Sequence, residues 1–310
     1  MKIYNLGSIN IDFVYTLENF ARPGETVACK AFGKFAGGKG FNQSTALARA
    51  GADVAHIGAV GADGKWLVGA LAEDGADVSR IAVLGDGTPT GHAIIQVDAR
   101  GQNCIIIETG ANGAINRDMV CKSLHDAKPG DWLLAQNETS GVNHAISCAK
   151  SSGLRVAYNP APMNEKALEV PVEDIDLFVV NETEGIALAE KFCRPDYNPE
   201  NHGEIFHCLR MRFGKSTIIL TLGADGVMAA EPGGEAIRFP AHKVDAIDTT
   251  AAGDCFTGYL LAQMADGAPL ADALKTAAAA AAICVTRHGA SPSVPYMREL
   301  QSLQVNVKVN

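Results

Sequence analysis

Residues 248–254 read DTTAAGD and directly precede residues 255–265, a mostly apolar stretch that we predict to be helical. Small residues at a helix start leave backbone N–H groups free, and the helix dipole favours negative charge there. The stretch therefore predicts an anion hole with the Asp254 carboxylate at its edge. From that position Asp254 could accept a proton from an attacking hydroxyl. The alternative is that Asp254 is only a helix N-cap, a position where aspartate is favoured.

A second glycine-rich stretch, residues 36–44, reads AGGKGFNQS and lies between an early β-type segment and a predicted helix. Glycines allow a backbone to approach a ligand closely. Residues 33–40 nearly match the phosphate-binding loop G-x-x-x-x-G-K-[ST]. Gly40, however, stands where that loop needs a magnesium-binding hydroxyl, so we reject it. The alternative for the stretch is a strand-to-helix turn with a solvated lysine.

Short apolar runs alternate with helical stretches along the chain. This alternation predicts an α/β fold, a doubly wound and mostly parallel sheet flanked by helices. The predicted strands are residues 3–6, 54–60, 132–135, 155–158, 177–180 and 217–221. The other predicted helices are residues 41–50, 65–73, 142–152, 183–191 and 202–213. Residues 91–108 have no helical period and predict a β-hairpin that stands apart from the main sheet, as a lid or an oligomer contact.

Composition and charge exclude several classes of function. The net charge is −9 and Lys and Arg form no block, which argues against a nucleic-acid partner. The first residues lack the apolar core of a signal peptide, and the longest apolar run, residues 277–285, is too short to cross a bilayer. These features predict a soluble, cytoplasmic protein with no membrane partner.

The cysteines are scattered and form no C-x-x-C pair. Such spacing, without an export signal, predicts reduced thiols. Cys193, His202, His207 and Cys208 are close in sequence, but their spacing fits no common zinc pattern, so we reject a zinc site there.

The two glycine-rich motifs, in this order and near opposite ends of the chain, resemble those of the ribokinase family of carbohydrate kinases. DTTAAGD matches the family signature D-T-x-A-A-G-D at every fixed position. The resemblance covers about residues 3–297. Further matching motifs are GSINID (7–12), GETV (24–27), NPAP (159–162), NETE (181–184), TLGADG (221–226) and VTRHGASPS (285–293).

The resemblance implies a single ribokinase-like kinase domain over residues 1–310, with a small β-sheet lid at about residues 9–35 and 91–108. It implies that Asp254 is the catalytic base. The anion hole for the transferring phosphoryl group is then made by the backbone N–H groups of Ala251, Ala252 and Gly253, a form of electrostatic preorganisation. The implied sugar-binding residues are Asn10, Asp12, Gly38, Lys39, Asn42, Glu138 and Asp254.

The resemblance also implies a nucleotide site and two cation sites. Thr221, Gly223 and Gly226 match the nucleotide-phosphate loop, although a plain hairpin turn would look similar. Asn181 and Glu184, three residues apart, also match ATP-binding residues of the family, a pair that organises magnesium and its waters near the phosphates. The alternative for this pair is a solvated helix start. The implied monovalent-cation ligands, for potassium, are Asp248, Thr250, Cys284, Gly289 and Ser293.

The implied activity is ATP-dependent phosphorylation of a sugar hydroxyl, with ribose to ribose 5-phosphate as the leading reaction. Implied cofactors are ATP, Mg²⁺ and K⁺, and the implied assembly is a homodimer through the lid. Kinases of the same family for deoxyribose, a ketose, a sugar acid or a nucleoside remain open. A non-catalytic sugar-binding protein would be expected to show damage to the base or the anion hole, and both motifs are intact. A dinucleotide-binding oxidoreductase is rejected, because no G-x-G-x-x-G follows the first strand.

Four positions depart from the pattern of a bacterial member of that family. Phe41 replaces alanine beside the sugar contacts, and we expect it either to shrink the pocket or to pack into the core. Asn137 replaces a more apolar residue, Phe13 stands where histidine is common, and Ala278 replaces a histidine near the adenine. We expect all four to leave phosphoryl transfer intact; the first three weaken the assignment of ribose, and Ala278 could alter nucleotide affinity.

Overall fold

The structure is a computed structural model that describes residues 1–85, 87–193 and 197–300. Its largest element is a nine-stranded sheet. The strands of the protein are β1 (Ile3–Leu6), β2 (Asn10–Thr16), β3 (Ala31–Gly37), β4 (Val54–Val60), β5 (Ile81–Val83), β6 (Gly91–Val97), β7 (Asn103–Glu108), β8 (Trp132–Gln136), β9 (Arg155–Asn159), β10 (Leu177–Asn181), β11 (Thr217–Thr221), β12 (Val227–Ala230) and β13 (Ile237–Phe239). The helices are α1 (Lys39–Arg49), α2 (Lys65–Glu73), α3 (Arg117–Ser123), α4 (Val142–Ser151), α5 (Glu182–Phe192), α6 (His202–Arg212), α7 (Ala252–Ala265) and α8 (Leu270–Cys284). Residues 301–310 of the predicted domain lie outside the described residues.

The strand order of the main sheet is β13-β12-β11-β10-β9-β8-β1-β4-β5. All neighbours from β11 to β5 are parallel, and β12 and β13 add an antiparallel edge. From β1 the chain first builds one side of the sheet and then crosses to β8 to build the other. This confirms the predicted doubly wound, mostly parallel α/β fold. In such sheets ligands bind in the crevice at the carboxyl ends of the strands, where the strand order reverses.

Both faces of the sheet are covered by helices, so its central strands are buried throughout. Successive residues of β1 point to opposite faces: Ile3 joins the core with α1, α7 and α8, whereas Tyr4 joins the core with α4, α5 and α6. Strands buried on both faces are expected to be continuous apolar runs, and this is why they could be located in the sequence.

A separate four-stranded sheet, with the order β3-β2-β6-β7, confirms the expected small second sheet. β6 and β7 form the predicted antiparallel hairpin, and β6 pairs in parallel with β2. β7 is the edge strand, and all of its residues are exposed. Lys34 of β3 lies over the ring of Trp66 of α2, 5.1 Å from its centroid, which joins the small sheet to the main body.

One predicted helix boundary is corrected by the structure. α7 begins at Ala252, three residues before the predicted start, and its N-cap is Ala251 in a left-handed conformation with φ 61°. Asp254 therefore lies inside the first turn of α7, and the N-cap alternative for Asp254 is wrong. In the described residues no helix combines the length and the apolar character that crossing a membrane requires.

Candidate active site

Asp254 is a buried carboxylate, 8% exposed, at the carboxyl-end crevice of the main sheet. One of its oxygens accepts a hydrogen bond from Asn42 Nδ2 at 3.0 Å, and the other accepts one from Gln43 Nε2 at 2.9 Å. Burial raises the pKa of Asp254, and the charge of Lys39 and the two amides offset this only in part. Each carboxylate oxygen keeps a further lone pair, so the group is suited to accept a proton from a ligand.

α1 supplies a run of buried polar side chains to this site, which is unusual for a helix interior. Gln43 donates to Asn159 Oδ1 at 3.1 Å as well as to Asp254, and its Oε1 accepts from Gln136 at 2.7 Å. Asn159 in turn donates to Glu184 Oε2 at 3.4 Å. Burying a polar group costs free energy unless it is hydrogen-bonded. These linked hydrogen bonds through Gln43 and Asn159 therefore fix the position of Asp254 relative to Glu184.

The same hydrogen-bond network continues between α1 and the central strands β1, β4 and β8. Gln136 donates to Asn5 Oδ1 at 2.9 Å, and Asn5 donates to Ser44 Oγ at 2.8 Å. Ser44 contacts His56 Nδ1 at 2.8 Å, and burial lowers the pKa of His56 to about 4. His56 is therefore neutral at physiological pH, and the network carries no buried imidazolium charge.

The predicted sugar-binding residues lie around the start of α1. Gly38, the N-cap of α1, has φ 92°, and a Cβ there would lie 3.0 Å from Ser8 O and from Asn10 N, so both conformation and space favour glycine. Lys39 N donates to Glu138 Oε2 at 3.0 Å, and Ser8 Oγ donates to the same oxygen at 2.5 Å. Asn10 and Glu138 line a cleft of about 690 Å³.

Electrostatic interactions couple these residues to Asp254. The Asp254 carboxylate is the main cause that raises the pKa of Lys39, with smaller contributions from Glu138 and Glu184. Asn42 Oδ1 is buried and has no hydrogen-bond partner among the described residues. A ligand hydroxyl would satisfy that acceptor, which is the chemistry a sugar provides.

Asp12 gives a testable pH dependence. Burial, and then the charge of Glu138, raise its pKa from 3.8 to about 7. The folded protein therefore holds an extra proton between these values, and raising the pH through that window lowers stability. We expect Asp12→Asn to remove this loss, so the variant gains about 2–4 kcal/mol over wild type between about pH 4 and pH 8.

Urea unfolding of the two proteins at the ends of that range measures the difference. Asp53→Asn, at an acid whose side chain is 69% exposed, is the matched control and should show no such gain. A difference between Asp12→Asn and wild type that does not change with pH would show that Asp12 ionises normally.

Three of the five predicted ATP-binding residues line one apolar pocket of about 320 Å³, and the other two, Asn181 and Glu184, lie outside its lining. Thr221, Gly223 and Gly226 lie on the turn between β11 and β12, on one side of this pocket, and Ala252 and Gly253 lie on another. Small residues of α8, including Ala278, form part of the wall. A pocket of this size with few polar groups suits the base of a nucleotide, and its α7 end suits the phosphates.

Both the backbone conformation and the surrounding atoms require glycine at position 226. Its φ is 94°, and a Cβ would lie 2.1 Å from Phe239 O. We expect Gly226→Ala to lower the free energy of unfolding by about 1–3 kcal/mol and to raise KM for ATP. Gly267→Ala is the control, because Gly267 has φ 90° with open space around it. Equal losses in the two variants would show that the close contact at Gly226 is unimportant.

Asn181 and Glu184 form a reciprocal capping box at the start of α5. Asn181 Oδ1 accepts from Glu184 N, and Glu184 Oε2 accepts from Asn181 N, both at 2.9 Å. Asn181 is exposed, whereas Glu184 is 6% exposed, and burial raises the pKa of Glu184. The pair thus has a structural role, while the Glu184 carboxylate lies beside Asn159 on the side of Asp254.

The five predicted monovalent-cation residues lie together where the loop before α7 meets the end of α8 and the segment that follows it. Asp248 accepts from Thr250 N and Gly289 N, both at 2.9 Å, and Cys284 Sγ contacts Ser293 Oγ at 3.0 Å and Thr250 O at 3.9 Å. Burial raises the pKa of Asp248, but these hydrogen bonds outweigh it and lower the pKa. An ionised carboxylate among backbone carbonyls and a hydroxyl is a donor set that fits a hard cation.

Comparison with known proteins identifies the family. A sequence model of pfkB family carbohydrate kinases matches residues 2–297. The chain belongs to the pfkB family of carbohydrate kinases. It is 37% identical to the ribokinase of Haemophilus influenzae over 298 residues, which is 95% of each chain.

Solved structures agree with this assignment to the pfkB family. Ribokinase from Cryptococcus neoformans in complex with ADP has a TM-score of 0.86 and 35% identity, covering 97% of this chain and 99% of that one. Arabidopsis thaliana ribokinase complexed with ribose and ATP has a TM-score of 0.84 and 27% identity, covering 99% of each chain. The resemblance inferred from the motifs is therefore confirmed.

The departures of this pfkB family kinase are explained by their surroundings. Phe41 is 1% exposed and packs in the core with α7 and α8, the second of the two expected placements. Asn137 donates to Pro162 O at 2.8 Å and Asn164 Oδ1 at 2.9 Å, which ties the Glu138 loop to the segment after β9. Phe13 stacks on Phe32 of the small sheet, with 6.2 Å between centroids.

Three residues of the site were missed by sequence reasoning. Asn159 ends an apolar strand, and a polar residue at the carboxyl end of a buried strand was the available signal. For Gln43 the only signal was its position directly after Asn42. Asn112 accepts from Ile9 N at 3.0 Å and donates to Asn10 Oδ1 at 2.7 Å. No local pattern marks Asn112, because its partners lie about a hundred residues away in sequence.

Proposed function

We propose that this pfkB family kinase transfers the γ-phosphoryl group of ATP to ribose, giving ribose 5-phosphate. The observation that carries the proposal is the placement of the buried Asp254 carboxylate. It directly follows Ala252 and Gly253 of the nucleotide pocket and contacts Asn42 of the predicted sugar site. The ribokinases to which the chain is similar favour ribose over the other sugars.

Asp254 acts as the general base in this proposal. It accepts the proton of the sugar 5-hydroxyl while the hydroxyl oxygen attacks the γ-phosphorus and the bond to the ADP oxygen breaks. Burial makes the carboxylate more basic, and Asn42 and Gln43 hold it in one orientation. Lys39 is placed to balance the negative charge that the acids and the phosphates bring to the site.

The proposed anion hole consists of the N–H groups of Ala251, Ala252 and Gly253. Among the described residues the Ala252 N–H donates to Thr249 O at 3.2 Å, whereas the Gly253 N–H has no backbone partner. The Gly253 N–H is therefore free to donate a hydrogen bond to a phosphoryl oxygen. The Ala252 N–H must share its hydrogen bond with Thr249 O, or exchange it, when a phosphoryl group binds. Donors aimed at developing charge lower the barrier most when they are preorganised.

Two cations complete the proposal. Glu184 would hold Mg²⁺ through water, and the ion would neutralise charge on the ATP phosphates. Asp248, Thr250, Cys284, Gly289 and Ser293 would surround K⁺ beside the anion hole. Because Asp248 already orders Thr250 and Gly289, this group would position the loop that leads into α7.

The substrate is tested by ADP release across a panel of ribose, deoxyribose, fructose, sugar acids and nucleosides, each with and without K⁺. We expect the highest kcat/KM with ribose. Turnover confined to another compound would contradict ribose and retain the family kinase mechanism. The absence of ADP release with every compound, together with ligand-induced thermal shifts, would instead favour the sugar-binding alternative.

We further propose that the chain is a single kinase domain with lid segments at about residues 9–35 and 91–108. Closure of the small sheet over the sugar would exclude water and prevent wasteful hydrolysis of ATP. All eight cysteines are free thiols, which suits the reducing cytoplasm, where we place the enzyme.

The small sheet is also the proposed homodimer contact. Phe32 and Ile106, on the two edge strands of this sheet, are 56% and 59% exposed, and exposed apolar side chains on sheet edges are usually covered by a partner. We expect Ile106→Asp to convert the dimer to a monomer in light scattering. Met211→Asp, at a 73% exposed site on α6, should leave the mass unchanged. A wild-type monomer would contradict the proposal.

A further inference from the structure

Cys121, His144 and Cys148 form a cluster of metal-ligating side chains outside the active site. Cys121 lies on α3, and His144 and Cys148 lie one turn apart on α4. Their ligand atoms all lie within 4.8 Å of one another. We propose that these three residues bind a borderline-soft divalent cation of the Zn²⁺ class, with the fourth position open to water.

The distances between the three ligand atoms match a tetrahedral site. Zn–S bonds of about 2.3 Å and Zn–N bonds of about 2.0–2.1 Å place two sulfurs about 3.8 Å apart and a sulfur and a nitrogen about 3.6 Å apart. The observed separations are 3.8 Å for the two Sγ atoms, 3.5 Å for Cys121 Sγ to His144 Nε2 and 3.2 Å for Cys148 Sγ to His144 Nε2. The trio therefore needs only a small side-chain adjustment to hold an ion.

The ligand types and their exposure indicate the class of ion. Two thiolates with an imidazole select zinc-like or softer ions over Mg²⁺, so the site does not compete for the magnesium of the kinase reaction. Cys121 is exposed and the other two residues are half-buried, which leaves an entry path. A bound ion would connect α3 to α4 at His144, which lines the same cleft as Glu138.

Another pair of cysteines provides a matched control. Cys193 and Cys208 also lie together: burial, and then the neighbouring Cys208 thiol, raise the pKa of Cys193 to about 11. In the described part of the chain, the α3–α4 trio is the only group of three or more His, Cys, Asp or Glu side chains whose ligand atoms all lie within 4.8 Å of one another. Cys193→Ser thus removes a comparable thiol without touching the proposed site.

The experiment is titration of the full-length, metal-free protein with Co²⁺ and then Zn²⁺, under a phosphine reductant that keeps the thiols reduced. We expect one equivalent of Co²⁺ to bind with a thiolate-to-cobalt charge-transfer band, to be displaced by Zn²⁺, and Zn²⁺ to raise the thermal midpoint. Cys121→Ser, His144→Ala and Cys148→Ser should each weaken binding by more than the roughly 10–100-fold that loss of an outer-shell partner causes. Cys193→Ser should bind as wild type does.

Three results would overturn the proposal. They are the absence of a charge-transfer band in wild type, binding that survives His144→Ala unchanged, and equal loss in Cys193→Ser. The first would show that Cys121 and Cys148 are only neighbouring thiols, and the second would show that His144 is not a ligand. Because Cys121 is exposed, its serine variant should fold normally and keeps the test valid even if a variant of α4 is unstable.

Discussion

Replacing Asp254 with Asn lowers kcat by about 10²–10⁴-fold, the contribution expected of a positioned general base. The amide keeps the size of the carboxylate but cannot accept the hydroxyl proton. It also removes a buried negative charge, so the variant should still unfold cooperatively at or above the wild-type midpoint. ADP release at saturating sugar and ATP measures the loss.

Asp266→Asn is the matched control for this change. Asp266 follows the last turn of the same helix and is exposed, so its variant should retain wild-type kcat. An Asp254→Asn enzyme that kept a third or more of the wild-type kcat would mean that another group, or water alone, removes the proton.

Replacing Gln43 with Leu should impair both stability and catalysis. The change removes one of the two amide donors to Asp254 and leaves Asn159 Oδ1 and one hydrogen of the Gln136 amide without their partner. Loss of a hydrogen bond to a buried charge and two unpaired groups should lower the free energy of unfolding by about 2–4 kcal/mol.

The pH dependence separates a positioning role for Gln43 from mere packing. Its hydrogen bond favours the ionised form of Asp254, so its loss raises the pKa of that carboxyl further. The acid limb of the kcat/KM profile should therefore move to higher pH in Gln43→Leu and stay in place in Gln263→Leu, on the partly exposed side of α7. A profile that keeps its acid limb while stability falls would assign Gln43 a structural role only.

The fold was predictable because its strands are short, apolar and buried on both faces. Each strand and helix predicted from the alternation is present, with ends displaced by at most three residues. β2 and β3 were harder to place, since both strands are partly exposed and their buried residues do not follow one period. α7 starts earlier than predicted, because Ala251 and not a side-chain cap begins it.

The residues of the candidate site also differ in how far the sequence could indicate their roles. Asp254 lies in a motif whose chemistry can be argued from the residues alone, whereas the sugar-binding roles of Lys39 and Asn42 were implied only by the family resemblance. Gln43 could not be assigned, because its importance comes from contacts with residues about a hundred and two hundred positions away. A purely structural role for Asn181 and Glu184 was expected only as an alternative, and the capping box shows that this pair stabilises the start of α5.

In the proposed reaction, Asp254 acts as the general base for transfer of the γ-phosphoryl group of ATP to the 5-hydroxyl of ribose. The most direct measurement follows labelled γ-phosphate of ATP into products, in the presence of ribose, Mg²⁺ and K⁺. We expect the label to appear in ribose 5-phosphate, with little in inorganic phosphate, and Asp254→Asn to slow the transfer by about 10²–10⁴-fold. Label in inorganic phosphate alone, or unchanged transfer to ribose by Asp254→Asn, would contradict this proposal.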